Sequence, residues 1–457
     1  MAKTKTAEDL PWKVEMASLR QLKPSPRNAR THSKAQVQQI ANSMKRFGLT
    51  NPIIADDAGE IIAGHGRLEA AKLIGLNYFP VVRIKHLSES ELRAYRLADN
   101  KVAQNAGWDR EILAVELSEL HIVLPELDLD LSITGFEPGE IDTLMNELSD
   151  PPTQAEDKIS TTGGPVTTQL GDLFVLGNHR LIVGDARSEQ TYADLMQSEF
   201  AEMAFHDPPY NVKIDGHVGG RGRIKHREFA EASGEMSSEE FTSFLASALS
   251  LCARYTADGG ISYVCMDWRH VGELLKAGST AFDELKNICV WTKTTPGQGS
   301  FYRSQHELVF VYKRGKVPHL NTFQLGQHGR TRSNVWSYPG ANSFKAERMD
   351  ELNMHPTVKP VAMIIDAMRD CSRRGAVVLD AFAGSGSTIM AAEQIGRRAY
   401  CIEIDPQYAD VAVRRWQNAT GKDAILGATG QSFGELSDIR LSSANLKPEK
   451  KSRSRKP

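Results

Sequence analysis

Five consecutive residues, His206-Asp207-Pro208-Pro209-Tyr210, bring together a carboxylate, a backbone carbonyl and an aromatic ring. They end an apolar run that predicts a buried strand, and the prolines stop the strand because proline has no amide hydrogen to donate. Such a trio suits a planar ring with an exocyclic amino group: Asp207 and the Pro208 carbonyl would each accept one amino hydrogen, and Tyr210 would stack on the ring. With both hydrogens held, the nitrogen offers its lone pair to an electrophile. The alternative is a strand-end turn in which Asp207 caps a backbone and Tyr210 belongs to the core.

A second candidate binding site lies far downstream in the sequence. Residues 377–380 predict a buried strand, residues 382–387 a glycine-rich turn, and residues 388–395 a helix. A strand, a tight turn and a helix form a cofactor cradle, because glycines let a ligand approach the backbone and the helix N-terminus supplies free amides. Another predicted strand, residues 399–402, ends in Glu403, which stands where an acidic residue would hold a ribose diol.

Other uses of glycine, cysteine and histidine are excluded by spacing. Neither Gly315-Lys316 nor Gly421-Lys422 is followed by serine or threonine, so the sequence has no Walker phosphate loop, and the dinucleotide fingerprint is missed as well. The five cysteines form no Cys-x-x-Cys pair, and His306, His328 and His355 show no ligand spacing. We therefore expect free thiols and no metal site.

Taken together, these motifs resemble those of the amino-group DNA methyltransferases. Residues 207–210 resemble the catalytic motif, residues 382–386 the S-adenosyl-L-methionine loop, and Glu403 the ribose-binding acid. The run 355–360 resembles an additional cofactor-pocket motif, and Gly184-Asp185 the motif that reaches the cofactor adenine. The candidate catalytic residues are Asp207, Pro208, Pro209 and Tyr210, and the candidate cofactor-binding residues are Asp380, Phe382, Ala383, Gly384, Gly386, Ser387, Thr388, Glu403, Asp185, Thr357 and Lys359.

The order of the motifs resembles the β group of that family, since the catalytic motif precedes the cofactor motif. The resemblance implies direct methyl transfer from S-adenosyl-L-methionine to the amino nitrogen of a base flipped out of double-stranded DNA. Adenine N6 is favoured over cytosine N4, because the family's cytosine enzymes more often carry serine in place of Asp207. C5-cytosine methyltransferases are excluded because no cysteine follows a proline.

The elements that must position these motifs predict a doubly wound, Rossmann-like α/β sheet. Asp207 and Phe382 both follow predicted strands, so the two halves of the sheet would bring the amino group and the cofactor together at the carboxyl ends of the strands. The remaining predicted elements are a hairpin at 173–176 and 180–183, a helix at 237–256, and strands at 260–266, 288–292 and 307–312.

Two segments of this domain are predicted to contact DNA. Residues 211–235 are glycine-rich and basic, and we expect a mobile loop that closes over DNA. Residues 293–354 interleave basic and aromatic side chains, Arg330 and Arg332 among them, which suits target recognition; an ordinary surface insertion is the alternative. The candidate DNA-binding residues of the first segment are Arg221, Arg223, Lys225 and Arg227.

Residues 13–104 predict a separate, smaller α+β unit. It resembles the ParB/sulfiredoxin-type fold, with Gly64-His65-Gly66-Arg67 standing where ParB proteins carry Gly-Glu-Arg-Arg, so Gly64 and Arg67 mark a candidate nucleotide or phosphate site. Ala103 replaces an arginine of ParB's third motif, which argues against CTP binding and favours a structural or DNA-positioning role. The predicted strands are 18–22, 52–55, 60–63 and 79–84, and the predicted helices are 33–47 and 68–74.

The 457 residues are predicted to form a ParB-like domain with a helical extension (1–149), a linker (150–168), a methyltransferase domain (169–427) and a flexible basic tail (428–457). The hydrophobic content of 40%, the charged content of 25% and the net charge of −2 are those of an ordinary globular chain with local basic runs. The sequence has no apolar stretch long enough to span a membrane, and we expect a cytoplasmic, nucleoid-associated protein.

Two alternatives from other functional classes stay open. The first is a ParB-like DNA-binding regulator whose methyltransferase half only senses the cofactor. The second is an RNA methyltransferase, which the motif order and the ParB-like domain disfavour. The β-group resemblance also leaves a homodimer open.

Overall fold

The computed structural model describes residues 13–147, 166–212, 232–296, 301–323, 330–340 and 359–445. Its contacts divide the chain into two compact units, Met1–Leu148 and Ser149–Pro457. Within the described ranges, no helix combines the length and the apolar character that crossing a membrane requires.

The first unit is built on a four-stranded sheet with the strand order β1-β4-β2-β3. Strands β2 and β4 run parallel and the other two pairs are antiparallel. Ile53, Ile61 and Phe79 are fully buried in its core, where Ala41 of the first helix packs against them. The elements in chain order are β1 (Val14–Ser18), α1 (Lys34–Phe47), β2 (Ile53–Ala55), β3 (Ile61–Ala63), α2 (His65–Leu73), β4 (Tyr78–Arg83), α3 (Glu89–Asn105), α4 (Arg110–Val123) and α5 (Pro138–Glu147).

Most predicted elements of this unit are confirmed, with two exceptions. The strand predicted at 18–22 is wrong: β1 ends at Ser18, whose hydroxyl accepts a hydrogen bond from the Arg20 amide and opens a 3-10 turn. Leu19 and Leu22 are both buried, and their spacing of three residues fits this turn and not the two-residue period of a strand. Helix α3 was not predicted, although Ser88 and Glu91 form a capping box at its start.

The second unit is a doubly wound α/β sheet, which confirms the predicted fold class. Its elements are β5 (Leu173–Leu176), β6 (His179–Val183), α6 (Glu189–Met196), β7 (Ala201–His206), α7 (Ser238–Arg254), β8 (Thr256–Met266), α8 (Val271–Ala281), β9 (Glu284–Thr292), β10 (His306–Lys313), β11 (Val335–Ser337), α9 (Val361–Cys371), β12 (Val377–Asp380), α10 (Ser387–Ile395), β13 (Arg398–Glu403), α11 (Pro406–Thr420), β14 (Ile425–Leu426) and α12 (Phe433–Asn445).

Ten of the described strands form one sheet in the order β11-β9-β10-β8-β7-β12-β13-β6-β5-β14. The middle of the sheet, from β8 to β6, is parallel, so the carboxyl ends of these strands share one edge. Apolar side chains on both faces of β7 and β12 are buried, as in a sheet covered by helices on each side. This arrangement places the ends of β7 and β12 side by side.

The structure bears on two predicted segments of this unit. The segment 293–354, predicted for target recognition, contains β10, which corresponds to the strand predicted at 307–312 and pairs with both β8 and β9. The tail predicted from residue 428 begins too early. Helix α12 packs Phe433 and Leu436 into the core, and Arg440 forms an ion pair with Asp172.

Candidate active site

The sequence 206–210 follows β7 at the centre of the sheet edge. His206 is fully buried, and its Nδ1 accepts a hydrogen bond from the Ala381 amide at 3.2 Å, so the end of β7 is tied to the turn that follows β12. Burial lowers the pKa of His206 to about 3, so the imidazole is neutral. The predicted catalytic motif, residues 207–210, and the predicted glycine-rich turn, residues 382–387, are therefore neighbours in space. We call residues 382–387 the cofactor turn.

Asp207 bonds through both carboxylate oxygens. Its Oδ2 accepts from Lys359 Nζ at 2.7 Å, and its Oδ1 accepts from the Tyr210 hydroxyl at 2.8 Å. Glu307, at the start of β10, lies on the same two donors, with Oε2 at 3.0 Å from the Tyr210 hydroxyl and 3.1 Å from Lys359 Nζ. Lys293, just after β9, bonds the other oxygen of Glu307. We call Asp207, Tyr210, Lys293, Glu307 and Lys359 the Asp207 cluster.

The charges of this cluster balance. Burial opposes the charge on Lys359, but Asp207 and Glu307 outweigh it and raise the pKa of the ammonium. Burial also opposes the charge on Glu307, yet Lys359 and Lys293 lower its pKa to about 2. Burial raises the pKa of Asp207, an effect that Lys359 offsets only in part, so Asp207 is the more basic of the two carboxylates. Two cations therefore face two anions in a largely dry site.

The described part of the cofactor turn also has a defined geometry. Asp380, at the end of β12, accepts hydrogen bonds from the Thr388 hydroxyl at 2.5 Å and from the Phe382 amide at 3.0 Å. Gly384 and Gly386 have φ values of 51° and 79°, which favour glycine, and Gly386 caps α10. The side chains of Ala383 and Ser387, in the same turn, are buried.

Glu403, at the end of β13, faces this turn. Its Oε2 accepts from the Gly384 amide at 2.7 Å and its Oε1 from the Asp405 amide at 2.8 Å. Burial raises the pKa of Glu403 to about 7, and burial likewise raises that of Asp380 to about 7. Among the described residues neither carboxylate forms an ion pair, so both are suited to neutral donors such as hydroxyl groups.

Asp185 lies one strand further along the same edge. The preceding Gly184 donates its amide to the Glu403 carbonyl at 3.0 Å, so the two predicted cofactor positions are adjacent. The Asp185 carboxylate is occupied by Arg187, which bonds it through its backbone amide at 2.8 Å and its guanidinium at 2.9 Å. These bonds lower the pKa of Asp185, although burial opposes the shift.

The structure shows specific contacts for several predicted positions. Lys359, whose predicted role in cofactor binding stays a prediction, bonds Asp207. Arg330 and Arg332, predicted as phosphate contacts, both bond Asp370 of α9, at 2.9 Å and 3.0 Å, and so anchor their segment to the protein. The residues that lie outside the described part of the chain are Thr357, Arg221, Arg223, Lys225 and Arg227.

The side chains of the candidate phosphate site in the first unit form hydrogen bonds with backbone groups of the same unit. Gly64 takes the left-handed conformation, with φ of 102°, and caps α2. Arg67 donates to the Pro52 carbonyl at 3.2 Å rather than to an acid, and His65 Nε2 accepts from the Ser25 amide at 3.2 Å.

Sequence reasoning missed Glu307 and Arg415 of the candidate site, and it placed Lys293 among the basic residues of the predicted target-recognition segment. Glu307 and Lys293 complete the Asp207 cluster, and the only sequence signal for their pairing is a charged residue beside each of the strands predicted at 288–292 and 307–312. Arg415 of α11 is buried beneath the cofactor turn and donates to the Ser385 carbonyl and the Ser387 hydroxyl, each at 3.2 Å. A buried arginine within an amphipathic helix pattern gives no such signal.

Comparisons with known proteins agree with both units. The family model described as DNA methylase matches residues 201–414, that of the ParB-methyltransferase HTH domain residues 111–170, and that of the ParB N-terminal domain residues 2–101. The second match covers the segment that the sequence pattern predicted as a helical extension and a linker.

Three similar proteins represent the two parts of the chain. The chain is 44% identical to the ParB-like nuclease domain-containing protein YnaK of Escherichia coli K12 over 79 residues. These residues are 17% of this chain and 91% of that protein. The chain is 22% identical over 234 residues to the type II methyltransferase M2.MboI of Moraxella bovis, covering 49% of this chain and 83% of the relative. The crystal structure of the M1.HpyAVI–SAM complex matches with a TM-score of 0.38 and 16% identity, over 51% of this chain and 97% of that chain.

Proposed function

Because the chain belongs to the DNA methylase family and carries a ParB N-terminal domain, we propose that it is a site-specific methyltransferase that modifies the exocyclic amino group of adenine in double-stranded DNA. The observation that supports the proposal is the meeting of two motifs at one sheet edge, where His206 of β7 bonds Ala381 after β12 at 3.2 Å. This contact sets Asp207 beside the cofactor turn.

S-adenosyl-L-methionine is the cofactor of the family, and the residues at the ends of β12 and β13 fit it. Each oxygen of Glu403 keeps a lone pair after accepting one amide, so the carboxylate can accept the hydroxyl hydrogens of a ribose. Gly384 and Gly386 leave the backbone open to a ligand at the start of α10. When bound, the cofactor supplies a methyl group to the amino nitrogen, and the electrons of the broken carbon–sulfur bond stay on sulfur.

The chain's own residues hold the base. Asp207 and the Pro208 carbonyl accept the two amino hydrogens, Pro209 fixes the turn, and Tyr210 stacks on the ring. As the amino nitrogen becomes cationic, the negative charge of Asp207 stabilises it, and the excess proton passes to this carboxylate and then to water. Lys359 and Tyr210 each occupy one lone pair on a different oxygen of Asp207, so each oxygen keeps a second lone pair that can accept an amino hydrogen.

The base reaches this site only if it leaves the helical stack. Asn211, directly after Tyr210, bonds the Met236 carbonyl at 2.8 Å and the Gly234 amide at 3.0 Å, so both flanks of segment 213–231 lie beside the catalytic motif. This placement supports a role for that segment in holding DNA. Its proposed phosphate contacts are Arg221, Arg223, Lys225 and Arg227.

Adenine N6 is proposed over cytosine N4, which is the alternative within the same family. Asp207 supports adenine, because the cytosine enzymes that the motif resembles more often have serine there. The test is single-molecule sequencing of DNA from cells that express the wild type or Asp207→Ala. We expect N6-methyladenine in one sequence motif, absent from the variant, while cofactor binding measured by calorimetry is retained.

The control is Asp194→Ala on α6, because the exposed Asp194 carboxylate has Gln190 as its partner among the described hydrogen bonds. The modification pattern of this variant should equal that of the wild type. N4-methylcytosine in the wild type would reverse the choice of base. Unmodified DNA from the wild type, or substantial modification by Asp207→Ala, would overturn the proposal.

A further inference from the structure

The Asp207 cluster contains a second carboxylate that competes with Asp207 for the same hydrogens. Lys359 has three N–H groups and three acceptors: Asp207 Oδ2 at 2.7 Å, Glu307 Oε2 at 3.1 Å and the Tyr210 oxygen at 3.1 Å. The Tyr210 hydroxyl has one hydrogen and two carboxylates within 3.0 Å. A donor that moves off Asp207 therefore has Glu307 as a second acceptor within hydrogen-bond distance.

From this geometry we infer that Glu307 is a positioning residue, which acts on Asp207 through Lys359 and Tyr210 and receives these donors when the target amino group binds. The inference rests on the proposed function, since it assigns the amino group to Asp207. The Lys359 ammonium bonds Asp207 as the amino group would, with an N–H directed at Oδ2.

Rigid structure holds Glu307 in this place. It opens β10, which pairs with β8 and β9, and its carboxylate is nearly buried. Lys293 approaches from the neighbouring strand, where its amide bonds the Gln305 carbonyl at 2.9 Å and its ammonium lies 4.8 Å from the centre of the Trp291 ring. The pair is therefore fixed by the hairpin, whereas Lys359 reaches it from the residues before α9.

Charge explains why the second carboxylate is needed. A buried ammonium displaced from Asp207 without another partner would be strongly destabilised, because leaving one partner of a buried ion pair alone costs several kcal/mol. Glu307 supplies the other partner within the reach of a small side-chain rotation. The same exchange also draws a positive charge away from the amino nitrogen as that nitrogen becomes cationic.

The ionisable groups around Asp207 come from several elements. They are Lys359, Glu307, Lys293, Tyr210, His206, Cys265 of β8 and Asp380 of β12. Among them, Glu307 raises the pKa of Asp207 and Lys359 lowers it, although burial has the largest effect. Variants of the cluster should therefore shift the pH dependence in opposite directions.

The test is the pH profile of the single-turnover methylation rate, with the full-length protein, saturating cofactor and a duplex carrying the modified motif. In Glu307→Gln, Lys359 pairs with Asp207 alone and the negative charge of Glu307 is gone. The acid limb of the profile, where the rate falls as Asp207 takes up a proton, should therefore move to lower pH by about half a unit or more. In Lys293→Met, Glu307 draws Lys359 from Asp207, so the acid limb should move to higher pH. Both variants should also lower the maximal rate.

Glu284→Gln is the matched control, because Glu284 lies on β9, is exposed and, among the described residues, forms its ion pair with Lys286; its profile should coincide with that of the wild type. Cofactor binding by calorimetry shows that each variant is folded, and Lys293→Met carries the test if Glu307→Gln does not fold. Acid limbs that coincide with the wild type would overturn the inference while leaving the proposed function intact. A wild type that methylates no DNA would overturn the proposed function itself.

Discussion

Tyr210 combines a hydroxyl group that bonds Asp207 and Glu307 with a ring that is only partly buried. The two parts predict different results. Tyr210→Phe keeps the ring, so we expect the affinity for DNA to be nearly unchanged and the methylation rate to fall less than tenfold. Tyr210→Ala should weaken DNA binding by about 1–3 kcal/mol, the usual contribution of stacking one base.

Fluorescence of 2-aminopurine at the target position measures base entry in both variants, with the wild type as reference. Equal losses in Tyr210→Phe and Tyr210→Ala would assign the role of Tyr210 to its hydroxyl group and exclude stacking.

Glu403 makes a prediction about stability. Burial raises its pKa from 4.5 to about 7, so between these pH values the folded protein holds a proton that the unfolded chain has released. The free energy of unfolding contributed by this group therefore falls as pH rises from 4.5 to 7. Glu403→Gln removes this titration, so its stability relative to the wild type should increase across the same window, by at most about 3 kcal/mol.

Urea unfolding at a series of pH values measures the difference directly. A constant difference between wild type and Glu403→Gln from pH 4.5 to 7 would contradict the raised pKa. The cofactor affinity of the variant, measured in parallel, should fall at every pH because the carboxylate that faces the turn is lost.

At the level of elements, helix α11 supports the cofactor turn from below. The buried Arg415 bonds the Ser385 carbonyl and the Ser387 hydroxyl, so its loss leaves polar atoms of the turn unsatisfied. We expect Arg415→Met to lower the free energy of unfolding by about 1–3 kcal/mol and to weaken cofactor binding. The neighbouring Arg414→Met is the control, because the partly exposed Arg414 pairs with the buried Asp410 at 2.9 Å and none of its described contacts is with either serine.

Thermal unfolding and calorimetric titration of cofactor separate these effects. If Arg415→Met binds cofactor as tightly as Arg414→Met does, the turn does not depend on this helix for its shape.

The strands and helices around the site were largely predictable because their signals are local. Each of these elements is predicted by residues within it or next to it: β7 by its apolar run, the cofactor turn by its glycines, and β13 by the apolar residues before Glu403. The contacts of Lys293, Glu307 and Lys359 around Asp207 were not predictable, because they depend on tertiary structure: Lys293 and Glu307 meet through the pairing of β9 with β10, and Lys359 reaches them from the residues before α9. The motif of Lys359 predicts a cofactor contact, and gives no sign that its ammonium bonds Asp207.

At the scale of the whole molecule, the chain combines two compact units with separate cores. The net charge of −2 gives no general attraction to DNA, so binding must depend on local basic segments and on what the first unit adds. The helix-turn-helix match at residues 111–170 and the ParB match at 2–101 support a DNA-positioning role for that unit.

A protein comprising residues 149–457 tests this division, because that unit contains the Asp207 cluster and the cofactor turn and has its own core. We expect it to modify the same sequence motif and to bind cofactor as the full chain does, but to bind duplex DNA more weakly. Its affinity should also depend less steeply on salt, since each lost phosphate contact lowers the slope of log K against log salt by about 0.9. Fluorescence anisotropy at several salt concentrations measures both quantities, and an unchanged affinity and slope would show that the first unit makes no contact with the DNA.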